Sequence, residues 1–205
     1  MSKSLPKIVV SPLKKKAPIP HKNAKLVLIG LTPGKRQHIA INEAADPRFA
    51  AFKGQMRGNI YKWFELLDIN SYFGIEDIDS LYVESRFDKI VYTTSLLRDP
   101  VYKNGANYTG RGPYPWQHPA LTKMMNETFD RLSYIKTPCL IVPLGEVVSQ
   151  AITEFSELHE KHFILHGFPH PSGLNGHKDK KFDENFESMK SNFRKFQKVT
   201  KKLVS

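Results

Sequence analysis

Phe163-Ile164-Leu165-His166-Gly167-Phe168-Pro169-His170-Pro171-Ser172-Gly173-Leu174-Asn175-Gly176-His177 joins a short apolar run to a polar, glycine-rich loop. The run reads as a buried strand. Its loop presents a histidine, a hydroxyl and one bare leucine where that strand ends. In α/β proteins binding sites lie beyond the carboxyl ends of parallel strands, so the junction calls for companion strands. Lys25–Leu31, ending in Pro33-Gly34, reads as the first strand of the set. Lys89–Ser95, β-branched and aromatic, reads as the second, and Cys139–Val142, followed by Gly145, as the third.

Between these runs the apolar residues fall at helical spacing. Ile60, Trp63, Phe64 and Leu67 predict a helix over 57–69, and Pro119 opens one striped by Leu121, Met124, Met125, Phe129 and Leu132. Val148, Ile152, Phe155 and Leu158 mark a third, and Phe182, Phe186, Met189, Phe193 and Phe196 a last one over 182–199. Strands separated by helices predict a three-layer α/β/α domain with a central four-stranded parallel sheet. Four loops then leave one edge of that sheet: Thr32-Pro33-Gly34, Ser95–Arg98, Pro143-Leu144-Gly145 and His170–Asn175. The second runs on through Gly105, Gly110 and Gly112 with Tyr102, Tyr108, Arg111, Tyr114 and Trp116. A structureless connection of that length either serves binding or is a surface loop pinned to the body by its aromatics.

With 205 residues the chain is read as one domain over 25–205, large enough for a core without disulfides or metals. The formal charge of +11 is uneven. Residues 1–24 hold six lysines and no acid, whereas the remainder sets 25 basic against 20 acidic groups. The first 24 residues, with Pro6, Pro12, Pro18 and Pro20, are expected to form a flexible basic tail attracted to phosphate. The tail lacks a long apolar stretch, so neither a signal peptide nor a membrane span is expected there. Cys139 is the single cysteine, which fits a reducing compartment and an intracellular protein, cytoplasmic or DNA-associated. Neither zinc nor an iron–sulfur cluster is supported, and no cofactor or metal is expected. Gly30-Leu31-Thr32-Pro33-Gly34-Lys35-Arg36 has one residue too few between its glycines for a P-loop, and no Gly-x-Ser-x-Gly elbow of a serine hydrolase occurs.

His170-Pro171-Ser172-Gly173-Leu174 resembles the signature loop of the uracil-DNA glycosylase superfamily, written His-Pro-Ser-Pro-Leu or Asn-Pro-Ser-Gly-Leu in its branches. Gly30-Leu31-Thr32-Pro33-Gly34 resembles the first motif of that superfamily. Phe52-Lys53-Gly54 with Arg57-Gly58-Asn59 is similar to the Phe-Val-Gly…Ala-Gly-Arg segment of its iron–sulfur branch. Tyr92–Arg98 and Pro143-Leu144-Gly145 resemble that branch's second strand end and its Ala-Leu-Gly turn. The resemblance spans residues 25–199 and implies a monomeric, metal-independent DNA glycosylase. Such an enzyme rotates a nucleotide out of the duplex and hydrolyses the bond to uracil or a related damaged base, the first step of base excision repair.

The resemblance also implies roles. His170 would donate a hydrogen bond to the departing base, and Phe52 would stack on that base unless it is a core phenylalanine. Gly30, Pro33, Gly34, Ser95 and Asn59 would line its pocket. Ser172, Gly173, Asn175 and His177 would meet the DNA backbone, and Leu174 would wedge into the vacated stack. Two positions depart from the family pattern. Leu31 and Thr32 stand where most branches carry a carboxylate or amide, and an un-ionised threonine is no general base. Ser95 stands where an asparagine reads the uracil edge. Thr32 could still orient a water, and His38, Asn42 and Glu43 just beyond are other candidate polar groups. A non-catalytic member binding DNA or a modified base is the alternative.

Overall fold

The computed structural model describes residues 6–14, 18–44, 46–173 and 176–202. Its centre is a sheet of four parallel strands, β2 (Leu26–Gly30), β3 (Val91–Ser95), β6 (Leu140–Pro143) and β7 (Phe163–Ile164), in the order β3-β2-β6-β7. Successive side chains on a strand face opposite ways, and here both faces are covered. Val27, Ile29 and Ile141 pack into one apolar cluster with Leu121, Met125, Phe129, Val148 and Ile152 of helices α5 (Pro119–Leu132) and α6 (Glu146–Phe155). Leu26, Leu28, Leu140 and Val142 pack into the other with Ile60, Trp63, Phe64, Phe182, Met189, Phe193 and Phe196 of α2 (Gln55–Leu66) and α8 (Lys178–Lys202). Burial on two faces is why these strands are continuous apolar runs rather than alternating ones. The architecture is α/β/α, with the four-stranded parallel sheet expected from the sequence.

The helices begin close to where the apolar stripes place them. The last is longer than its stripe at both ends, running from Lys178 to Lys202. Short helices α3 (Ile69–Phe73), α4 (Ser80–Val83) and α7 (Leu158–Lys161) fill the connections. Helix α1 (Lys35–Glu43) follows β2 directly, and a 3-10 turn, Pro47–Ala50, leads from it towards Phe52.

Two regions differ from expectation. Part of the N-terminal segment, read as a free basic tail, is built into the fold: β1 (Ile8–Val10) pairs antiparallel with β4 (Val101–Lys103). The connection after Ser95 is not structureless either, because β4 turns into β5 (Ala106–Asn107) to complete a second, three-stranded sheet. The cause is shared. The backbone donors of one segment satisfy the acceptors of the other, a pairing about ninety residues apart that local sequence does not display. Among the described residues no helix is long and apolar enough to cross a membrane.

Candidate functional site

Parallel pairing sets Gly30 opposite Ser95 and Ile29 opposite Pro143, so the loops after β2, β3 and β6 start level with one another. The loop after β7 joins them through Gly145, whose N–H donates to the Phe168 carbonyl at 3.0 Å. Gly145 has φ +113°, and a Cβ there would stand 3.5 Å from the His170 Cβ. That backbone geometry and close approach explain the glycine.

At the β2–β3 end lies a cavity of about 150 Å³, lined by Pro33, Gln37, Ile41, Arg48, Ala51, Phe52, Thr93, Thr94, Ser95, Arg98, Asp99 and Glu127, with Leu13 reaching in from the N-terminal segment. Phe52 is its aromatic wall and a core residue at once, 5% exposed. Its ring lies directly over Gly30, where a Cβ would approach Phe52 Cε1 to 2.8 Å and Ser95 Oγ to 3.8 Å. The Phe52 turn is braced by buried Arg57, whose Nε donates to the Ala51 carbonyl at 2.9 Å. The same guanidinium stacks over Tyr82 at 3.7 Å and pairs with Asp79.

Three residues past Phe52, the start of α2 reaches the His170 loop. Asn59, buried, donates from Nδ2 to the Pro171 carbonyl at 2.7 Å, and Gln55 donates to Asn59 Oδ1 at 3.3 Å. A Cβ on Gly173 would lie 3.5 Å from Gln55 Cγ. Within the loop the Ser172 N–H donates to His170 Nδ1 at 3.3 Å, which leaves the proton of a neutral ring on Nε2. The His170 side chain is open to solvent, yet desolvation by the surrounding protein lowers its pKa from the ordinary 6.5. A neutral imidazole with a donor at Nε2 is therefore its state near neutral pH.

No protein-family model matches the chain. The uncharacterized protein YoxB of Bacillus subtilis (strain 168) is 32% identical over 195 residues, covering 86% of this chain and 75% of YoxB. The chain belongs to the YoxB family.

In this YoxB relative the residues singled out from the sequence fall into two adjoining groups. Pro33, Phe52 and Ser95 line the cavity, with Gly30 beneath the Phe52 ring. His170, Ser172 and Gly173 form the loop, braced by Asn59, whose amide holds the Pro171 carbonyl rather than opening to the cavity. His170 is not among the residues lining the cavity; the segment 52–59 links the two groups. His177 stands exposed at the start of α8, where its carbonyl accepts from the Lys181 N–H at 3.0 Å. Leu174 and Asn175 lie outside the described residues. Gly34 begins α1 beside Asn107 of β5, whose Oδ1 caps the helix by accepting from the Lys35 N–H at 3.0 Å.

Thr32 is committed to the scaffold: its hydroxyl donates to the Asp99 carbonyl at 3.0 Å and accepts from the Val101 N–H at 3.1 Å. His38 meets the Tyr102 hydroxyl at 3.0 Å, and Asn42 accepts from the Lys14 N–H at 3.2 Å, so both face β4 and the N-terminal segment. On α1 it is Gln37 and Ile41, one turn apart, that line the cavity. The sequence did not single out Gln37, Arg48, Asp99 or Glu127. Helical spacing could have paired Gln37 with Ile41; no local signal marks the others. Arg98 donates to Glu127 at 3.1 Å. Among the described residues no group of three or more His, Cys, Asp or Glu could hold a metal ion.

Proposed function

We propose that this chain is a DNA glycosylase of the uracil-DNA glycosylase superfamily, hydrolysing the N-glycosidic bond of uracil or a related damaged base. The state of His170 carries the reading. Negative charge grows on the base as its bond to the sugar breaks, and a preorganised N–H donor at that point lowers the barrier. His170 offers a neutral ring whose tautomer the Ser172 N–H selects and whose protonation desolvation opposes. The cavity supports the same reading, since an aromatic wall with hydroxyl and amide groups beside it suits a flat heterocycle rotated out of the stack. The excess of 31 basic over 20 acidic residues favours a polyanionic partner.

A second reading, a member that binds DNA or a modified base without cutting, is favoured by the commitment of the Thr32 hydroxyl to backbone partners. Single-turnover excision from oligonucleotides carrying uracil and other damaged bases, in single and double strands, separates the two. His170→Ala should lower the rate about 10²-fold or more. Leu174→Ala should slow duplex substrates more than single strands, because only a duplex leaves a gap to fill. A parent chain inactive on every base yet binding DNA would establish the second reading.

A further inference from the structure

The proposed reaction needs a negative charge near the cationic sugar, and the end of β2 supplies none, because Leu31 and Thr32 stand there. We propose that Asp99 is the missing catalytic carboxylate, held in place by Thr32 and by the N-terminal strap; this rests on the glycosylase reading above. Asp99 lines the cavity together with Phe52 and Ser95. Thr32 brackets Pro100, donating to the Asp99 carbonyl at 3.0 Å and accepting from the Val101 N–H at 3.1 Å. On the other side the Ser11 N–H donates to the Pro100 carbonyl at 2.9 Å, and the Leu13 N–H donates to Asp99 Oδ1 at 3.0 Å. A backbone held from two directions and a carboxylate held by one oxygen is a preorganised arrangement. Asp99 Oδ2 takes no hydrogen bond or ion pair among the described residues. The other carboxylate at the cavity, Glu127, is paired with Arg98 at 3.1 Å. Gln37 and Ser95 are neutral.

The step balances with water as co-reactant. The C1′–N bond breaks, and its electron pair leaves with the base, which solvent then protonates. A water held by Asp99 forms the new C1′–O bond and gives its proton to the carboxylate, which later returns it to solvent. Thr32, which touches Asp99 and not the substrate, is a positioning residue.

The test uses the full chain on the best oligonucleotide substrate of the parent. It compares Asp99→Asn, Thr32→Val and Thr32→Ser in single-turnover rate, in DNA affinity and in thermal midpoint. Asparagine keeps the acceptor for the Leu13 N–H, so Asp99→Asn should fold and bind DNA as the parent does. Its excision rate should fall about 10²- to 10⁴-fold. Thr32→Val should lose about tenfold in rate with DNA affinity unchanged, and Thr32→Ser should restore the rate. A folded Asp99→Asn that cuts at the parental rate, while His170→Ala is slow, would overturn the assignment of Asp99 and leave the glycosylase reading standing. A parent without activity on any base would remove both.

Discussion

The contact between Gly30 and Phe52 is open to a quantitative test. Gly30 ends a strand buried on both faces, and a methyl group there would meet Phe52 Cε1 at 2.8 Å and Cζ at 3.3 Å. The ring has little room to retreat, because Phe52 is 5% exposed within a packed cluster. Overpacking of this kind costs about 1–3 kcal/mol. Stiffening the unfolded chain returns about 0.4–1 kcal/mol, since Gly30 has an ordinary backbone conformation that alanine can adopt. Gly30→Ala should therefore lose about 1–2 kcal/mol net. At about 2–4 °C per kcal/mol for a chain of this size, its thermal midpoint should drop by about 2–8 °C. Phe52→Leu removes the two atoms that would collide, so adding Gly30→Ala to it should cost close to nothing. The assay is urea unfolding of parent, both single variants and the double variant. The expected coupling energy is about 1–2 kcal/mol. A Gly30→Ala cost that is the same with Phe52 and with Leu at position 52 would refute the contact, and with it the account of how the cavity gets its aromatic wall.

Two further outcomes follow from buried polar groups. His162 is 6% exposed, and neither ring nitrogen has a hydrogen-bond partner among the described residues. Desolvation, with Lys161 nearby, lowers its pKa from the ordinary 6.5. As pH falls below that value the unfolded chain takes up a proton that the folded one refuses, so stability is lost from the ordinary value downward. Between pH ~7.5 and ~5.5 the parent should lose more thermal stability than His162→Leu; equal losses would show that the ring is not held neutral. Asn59→Ala should cost about 1–3 kcal/mol by leaving the buried Pro171 carbonyl without its donor. It should also speed hydrogen exchange at the Ser172 amide, and unchanged exchange would mean that the loop does not depend on α2.

The layer architecture was legible because it is written in local pattern. Leu26–Ile29 and Leu140–Val142 are apolar at every position, as a strand covered on both faces requires. The stripes through Trp63, Phe129, Ile152 and Phe193 announce one buried face each. The level start of the loops followed from parallel pairing, and the His170 loop declared itself by its residue types. The N-terminal segment misled, because lysines and prolines describe solvation and stiffness and say nothing about the partner strand some ninety residues away. The resemblance sets Asn59 at the base pocket and Thr32 at a water, whereas the structure turns the Asn59 amide to the Pro171 carbonyl and the Thr32 hydroxyl to Asp99 and Val101. A polar side chain's partner is a matter of three-dimensional neighbours, and its own sequence context does not carry that information.

By itself, then, the sequence determined the four central strands, the helices that carry apolar stripes, the parallel sheet and the edge where polar loops gather. Hydrophobic periodicity and chain connectivity constrain these through neighbours a few residues apart. Only the tertiary structure decided what each loop residue does there: that Phe52 covers Gly30, that the Ser172 N–H selects the tautomer of His170, and that Leu13, Gln37 and Asp99 share a cavity. Those relations join segments distant in sequence. They depend on hydrogen-bond directions and on distances of a few ångströms, which no local pattern of residue types encodes.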